Sequence, residues 1–396
     1  MLEHAGPGAS ALRARRAARE EAVSFARRLD WLLLSAVAGI VAYGLWVIAG
    51  ITRFDVAGNE TYFVVRQGVF AALGAAGLVA ALLIDPDVYR RFKRALYVAT
   101  TGLMVLVILV GSVTRGSKRW IDVGFFQFQP SEFGKVFLIL FLAGFLADRG
   151  RRIGEWSTVL AAVGLAFGPI VLVFIQPDFG TALVYGAALA AVLFIAGTRW
   201  LHLAGLAAAA ALGAVSLLWA LPAVGVEVLK PYQSARLTAF ADPDRDPSGS
   251  TYNVNQSIVS VGAGGVRGRG VQGATQTNLD YLPEHATDFV FASLAEQRGF
   301  VGASVLLCLY LLVLWRGIRI ISIARDSFSA IVAGGIVFAL LFQIFINVGM
   351  TMGIAPITGI PLPFVSVGGS SMIANLLAMG VLQAIHVRGR SDPRRA

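Results

Sequence analysis

Trp31-Leu-Leu-Leu-Ser-Ala-Val-Ala-Gly-Ile-Val-Ala-Tyr-Gly-Leu-Trp-Val-Ile-Ala-Gly-Ile51 runs without a single charged side chain. A run of roughly 20 apolar residues is long enough, as a helix, to cross the hydrocarbon core of a bilayer. Similar runs recur at 62–84, 95–113, 131–147, 156–176, 180–197, 201–222, 289–315, 328–350 and 367–387, which predicts ten spans. Composition agrees. The 396 residues are 57% hydrophobic, mean hydropathy is +0.72, and only 14% are charged, against about 25% in soluble domains. A chain that must satisfy its backbone within each span reads as helices rather than strands. The fold class is therefore an all-α integral membrane protein, a polytopic bundle of about ten transmembrane helices.

The net charge of +10 does not point to nucleic acid, because the basic residues sit in short clusters between apolar runs. The tail before Asp30 carries six arginines. Alternate loops carry Arg90, Arg91, Lys93 and Arg94; Arg149, Arg151 and Arg152; Arg199; and Arg316, Arg319 and Arg325, and the C-terminal tail adds Arg388, Arg390, Arg394 and Arg395. The short loops on the other side hold only Arg53, Arg115, Lys118 and Arg119. This asymmetry places both termini in the cytoplasm. The expected organisation is a tail at 1–29, a membrane domain at 30–388 and a tail at 389–396. The Arg-rich start does not read as a cleavable leader. Cys308 alone makes no disulfide, and His4, His202, His285 and His386 show no metal-ligand spacing.

This orientation puts the longest loop, 223–288, outside, and Asp288 at its end, in Tyr281-Leu-Pro-Glu-His-Ala-Thr-Asp-Phe-Val-Phe291. A carboxylate at a membrane boundary marks a functional site by default. Thr287 or Asp288 also suits the N-cap of the helix that follows, and the two roles are compatible. Glu296 lies about 12 Å further along that helix, too far to share a proton, with Arg298 available to balance it.

Other polar groups surround this end. Glu132 and Lys135, in Gln129-Pro-Ser-Glu-Phe-Gly-Lys135, share a helix face. They suit either a structural ion pair or the wall of a headgroup cavity. Asp178, in Gln176-Pro-Asp-Phe-Gly-Thr181, reads as turn chemistry. The long loop holds Tyr232-Gln-Ser-Ala-Arg236, then Tyr252, Asn255 and Gln256. Gly268-Arg-Gly-Val-Gln-Gly273 matches a dinucleotide fingerprint in letters but lacks the strand–turn–helix context. With Arg267 and Arg269 it suits a flexible loop or a diphosphate cradle. Pro356 to Ser371, with three prolines and Gly368-Gly369, breaks helix at membrane depth, where it must pack in protein or line a wet cavity.

Taken together, Lys118-Arg-Trp, Gln129-Pro-Ser-Glu132, Gln176-Pro-Asp-Phe-Gly-Thr181, Tyr281-Leu-Pro-Glu284, Thr287-Asp-Phe289 and Pro363-Phe-Val-Ser-Val-Gly-Gly-Ser-Ser371 resemble the SEDS family of bacterial membrane proteins, which includes RodA, FtsW and SpoVE. The likeness covers residues 30–388. Thr358-Gly-Ile-Pro361 and Gln272-Gly-Ala-Thr-Gln-Thr277 resemble RodA members more than FtsW members. The chain departs from the family at Ala286, where His is usual and His285 stands one place earlier, at Gln297 and at Val367.

The resemblance implies an inverting peptidoglycan glycosyltransferase. It would polymerise lipid II outside the cytoplasmic membrane during elongation, with a class B penicillin-binding protein as partner. Asp288 would be the essential aspartate and general base. Lys118, Arg119 and Arg236 would meet the departing undecaprenyl diphosphate, with Mg²⁺ or Mn²⁺ assisting at a site that no readable ligand cage identifies. Glu132, Lys135, Gln256, Ser366 and Ser370 complete the expected substrate contacts. A lipid II flippase and a non-catalytic cell-wall scaffold are the competing readings. The flippase prefers charges at mid-membrane, and the scaffold leaves the outer carboxylate without a task.

Overall fold

The computed structural model describes residues 24–114, 117–225 and 250–390. Within them every expected span is a helix: α1 Trp31–Ile51, α2 Tyr62–Leu83, α3 Lys93–Val110, α4 Pro130–Ala147, α5 Trp156–Ile175, α6 Phe179–Ile195 and α7 Trp200–Val215. A helix of the long loop, α8 Ser250–Gly264, follows, and then α9 Val290–Ile323, α10 Ser327–Thr351 and α11 Gly369–Arg390. Eight of the ten bundle helices have the length and apolarity to cross a membrane; α6 and α7 are shorter, and α7 runs on without a break to Ala223. The protein is a multi-pass membrane protein.

Short acids set the helix starts. Asp30 accepts from Leu33 N at 3.1 Å to cap α1, Asp178 accepts from Thr181 N at 3.0 Å to cap α6, and Asp326 accepts from Ser329 N at 2.9 Å to cap α10. Each satisfies an N–H that the first turn leaves open. Pro130 opens α4, where its missing N–H costs nothing.

Helices α4, α10 and α11 form the buried centre, with α3, α5 and α7 at the rim. Lipid is as apolar as leucine, so helix association relies on close fit and small residues. The α2–α11 contact shows this: a Cβ on Gly380 would overlap the Leu78 carbonyl, and one on Gly74 would strike Leu376. At the end where α1 begins, Arg316 of α9 grips Asp30 with Nε at 2.9 Å and a terminal nitrogen at 2.6 Å. Gln383 of α11 bonds both Asp30 N (3.1 Å) and Asp30 O (2.8 Å). Three helices are thereby fixed around one buried carboxylate.

The structure alters three expectations. The third span ends at Val110, because Ser112–Thr114, Ser117–Asp122 and Gln127–Phe128 form a small antiparallel sheet, β1-β2-β3. Trp120, Ile121 and Phe128 are residues that favour strands. The eighth span is longer than expected and is broken: Gly299 has φ +66° and ψ −165°, a region open essentially to glycine alone. The long loop is also structured in part, since α8 lies along α9.

Its glycines serve that contact. A Cβ on Gly264 would overlap the Ala295 carbonyl, one on Gly268 the Gln297 carbonyl, and one on Gly299 the Gly268 nitrogen. Phe300 N then donates to Gly265 O at 2.8 Å across the break. The run that spells a dinucleotide fingerprint is a place where two backbones touch.

Candidate active site

Asp288 closes a short segment that enters α9. The segment is anchored from below by Leu282, fully buried with Phe289, Ala292 and Ile357. Glu284 takes a left-handed conformation (φ +55°). Its carbonyl accepts from Thr287 N (3.1 Å) and Phe289 N (3.2 Å), and its carboxylate accepts from Thr287 Oγ1 at 2.8 Å. The chain thus turns tightly just before the aspartate.

The next four carbonyls each have a donor from elsewhere. Ser293 Oγ donates to His285 O at 3.3 Å. Val367 N donates to Ala286 O at 3.0 Å. Ser366 Oγ donates to Thr287 O. Asn347 Nδ2, on α10, donates to Asp288 O at 2.9 Å and to Ile360 O at 2.7 Å. Buried carbonyls without partners are costly, so these bonds hold the segment in one conformation. Asp288 itself is half-buried. The loop before α11 is held in turn by Gln67 of α2, which donates to Ser366 O at 3.0 Å and accepts from Gly368 N at 3.1 Å.

His285 points away from this clamp. Its Nε2 lies 3.1 Å from Asp55 Oδ2, in the turn after α1, and its Nδ1 lies 3.9 Å from Asp280. Burial alone would push its pKa down. The hydrogen bond and charge of Asp55, with Asp280 behind, outweigh that and raise it.

Below the segment, Glu296 is fully buried. Arg298 does not balance it. The carboxylate accepts instead from Gln276 N (2.9 Å), Thr277 N (3.0 Å) and Thr277 Oγ1 (2.7 Å), at the start of a one-turn helix, Thr275–Asn278. An acid there meets bare N–H groups and the positive end of a helix. Arg298 stacks on Trp46, 3.8 Å from the ring centre.

The remaining candidates fall into separate groups. Glu132 and Lys135 pair at 2.8 Å, and Lys135 also reaches Gln343 Oε1 at 3.3 Å. Their side chains are 3% and 4% exposed, so the pair is sealed inside the bundle. Ser370 Oγ accepts from Gln129 N (2.9 Å) and donates to Gln127 O (3.1 Å), which fixes the sheet to α11. Ser366 Oγ, besides its bond to Thr287 O, accepts from Leu362 N at 2.8 Å. Both serine hydroxyls are therefore engaged by backbone.

Arg119 stacks on Trp120 and lies 3.5 Å from Asp178. Asp178 also accepts from Gln129 Nε2 at 2.9 Å, so it is a buried junction as well as a cap. Lys118 Nζ donates to Leu109 O at 3.1 Å. Gln256 sits half-buried on α8, whose Ser257 ties it to Thr351 O of α10 at 2.8 Å. Arg236 lies outside the described residues. Among the described residues no three His, Cys, Asp or Glu side chains converge as metal ligands.

The sequence reading missed Asn347, Gln67 and Asp55. The first two carry a signal, since a lone amide in an apolar span must find partners inside the protein. Asp55 carries none, because a loop acid looks the same whether it is solvated or paired.

Fold and site together define a polytopic helical membrane protein that presents a half-buried aspartate on a pinned loop at one end of its bundle. The chain belongs to the cell cycle protein family of FtsW, RodA and SpoVE, whose sequence model matches residues 25–391. It is 37% identical over 354 residues to stage V sporulation protein E of Bacillus subtilis (strain 168), which covers 89% of this chain and 93% of that one. It is 35% identical over 347 residues to the peptidoglycan glycosyltransferase MrdB of Escherichia coli (strain K12), with 88% and 92% covered.

Among solved structures, it superposes with a TM-score of 0.78 on a chain described under "structural coordination of polymerization and crosslinking by a peptidoglycan synthase complex". That chain is 32% identical, with 92% of this chain and 99% of that one covered. The rod shape determining protein RodA of Thermus thermophilus matches with a TM-score of 0.65 at 28% identity, with 92% and 98% covered.

Proposed function

We propose that this protein is a peptidoglycan glycosyltransferase that polymerises lipid II at the outer face of the cytoplasmic membrane, in support of cell elongation and shape. Relatives that carry this activity in their names match nearly the whole chain. The observation that carries the mechanism is the set of donors on the carbonyls of 285–288, which fixes the backbone beneath a half-buried Asp288. The Arg and Lys asymmetry supports cytoplasmic termini and an outward-facing site.

In this mechanism, Asp288 is the general base. It takes the proton of the acceptor's GlcNAc 4-hydroxyl as that oxygen attacks the anomeric carbon of the donor MurNAc. The new C–O bond forms as the bond to the diphosphate breaks. Undecaprenyl diphosphate leaves with the electron pair, and the α donor becomes a β link. A base held in one place lowers the barrier through orientation. The departing diphosphate needs positive charge, which we assign to Lys118 and Arg119, with Arg236 from the long loop. Any Mg²⁺ or Mn²⁺ would be shared with the substrate diphosphate, since magnesium typically keeps few protein ligands. No step here depends on it.

A class B penicillin-binding protein is the partner we assign, in keeping with the polymerisation and crosslinking complex to which the chain is similar. The test is polymerisation of purified lipid II by the native protein, with and without that partner, beside Asp288→Asn. Glycan from the native chain and none from a folded variant supports the assignment. Substantial glycan from the variant overturns the role of Asp288. Lipid II translocation without glycan moves the protein to a transporter.

A further inference from the structure

The end of the bundle opposite Asp288 holds a recess of about 510 Å³, lined by Asp87, Arg90, Arg91, Lys93, Arg94 and Asp148. It lies where the turn from α2 into α3 meets the C-terminal end of α4. Four cations face two carboxylates. Asp148 is shared, since Arg90 donates to it at 2.9 Å and Lys93 also pairs with it. Lys93 reaches the Gly144 carbonyl as well, at 3.1 Å. The neighbouring Asp85 is occupied elsewhere: it caps the short helix Pro86–Arg91 by accepting from Asp87 N and pairs with Arg388 at 3.2 Å. Among the described residues neither Arg91 nor Arg94 has an ion-pair partner. The recess keeps a positive excess, and two guanidinium forks supply it.

The flank is apolar and uncovered. Leu83 and Phe92 are 64% and 55% exposed, and Val88 is 43% exposed. Val88 and Phe92 stand in the same stretch of chain as the lining residues, and Leu83 ends α2 four residues before Asp87. A ligand that fits both surfaces has a charged phosphate group and a hydrocarbon part. Guanidinium recognises phosphate oxygens through paired N–H donors, and basic pockets at the cytoplasmic ends of membrane helices suit anionic headgroups.

We propose that this recess is a binding site for the phosphodiester headgroup of an anionic bilayer lipid, whose acyl chains lie along Leu83, Val88 and Phe92. Arg91 and Arg94 hold the phosphate, while Arg90 and Lys93 stay on Asp148 and give the recess its shape. The proposal rests on the membrane fold and its orientation, not on the reaction at Asp288.

The test uses the purified full-length chain in mild detergent. Lipid retention is read by native mass spectrometry and by the shift in unfolding temperature, with dioleoyl phosphatidylglycerol, dioleoyl phosphatidylcholine or inorganic phosphate added. The native chain is expected to retain the glycerol lipid about tenfold better than the choline lipid. Arg91→Gln with Arg94→Gln should drop retention to the choline level, and Arg91→Lys with Arg94→Lys should keep most of it. Unfolding temperature without lipid establishes that each variant is folded. Asp288→Asn should retain lipid as the native chain does, which separates this site from the glycosyltransferase reading. Equal retention by the glutamine variant, or no preference over the choline lipid, overturns the proposal. An equal shift with inorganic phosphate alone overturns the lipid assignment.

Discussion

His285 Nε2 and Asp55 Oδ2 lie 3.1 Å apart, which joins the turn after α1 to the chain three residues before the proposed base. His285 has its pKa raised because the Asp55 hydrogen bond and charge outweigh the opposing effect of burial. A raised folded-state value means that the pair stabilises the protein fully below the unfolded value near 6.5. The contribution is lost as pH climbs through the higher folded-state value. We expect Asp55→Asn to lose about 1–2 kcal/mol at pH 6 and little at high pH. Thermal unfolding between pH 5.5 and 9 measures this, and a constant difference across the range would contradict the ion pair.

Asn347 donates to two buried carbonyls, one of them that of Asp288. Asn347→Leu strands both, at about 1–3 kcal/mol for each unsatisfied group. Polymerisation should fall at least about tenfold in protein that still inserts and binds its partner. Full activity in this variant would mean that the pinned backbone is not what positions the carboxylate.

The two serines separate by location. Ser366→Ala removes the donor on Thr287 O and should lower kcat with little change in KM, because it misplaces the base without touching substrate. Ser370→Ala loosens the sheet on α11 and should affect activity less. A Ser366→Ala effect confined to KM would instead indicate direct substrate contact.

Glu132 and Lys135 are sealed together. Glu132→Gln alone leaves a buried ammonium poorly compensated and should cost about 3–5 kcal/mol, whereas Glu132→Gln with Lys135→Met should recover much of that loss. Activity that returns with stability in the double variant identifies a structural pair. A stable but inactive double variant identifies a substrate contact.

Gly299→Ala places a Cβ against Gly268 N and Val266 in a conformation reserved for glycine. A loss of at least about 2 kcal/mol is expected. Gly262→Ala, where a Cβ meets nothing within 4 Å, is the control and should be close to neutral.

The ten bundle helices and the place of Asp288 at a helix edge were legible because both signals are local. An uncharged run such as Trp31–Ile51 has one use in a membrane protein, and an acid at a span's edge is conspicuous. The break at Gly299 was not legible, since a glycine in an apolar run looks the same in a straight helix. Its left-handed backbone follows from contact with Gly265 and Gly268, some thirty residues earlier. Glu296 was read with the wrong partner for a related reason: Arg298 is near in sequence, but the N–H groups of Gln276 and Thr277 are near in space. The serines of 366–371 drew attention as polar groups, and nothing in their spacing tells a backbone donor from a substrate contact.

The donors on residues 286–288 come from Asn347, Ser366 and Val367, all translated after Asp288 itself. A nascent chain released from the ribosome at the end of α9 therefore already carries its acid, but not the groups that bond the carbonyls of 286–288. Those carbonyls are pinned only when α10 and the loop before α11 have joined the bundle, so under the proposed mechanism an unfinished chain in the membrane is expected to make no glycan.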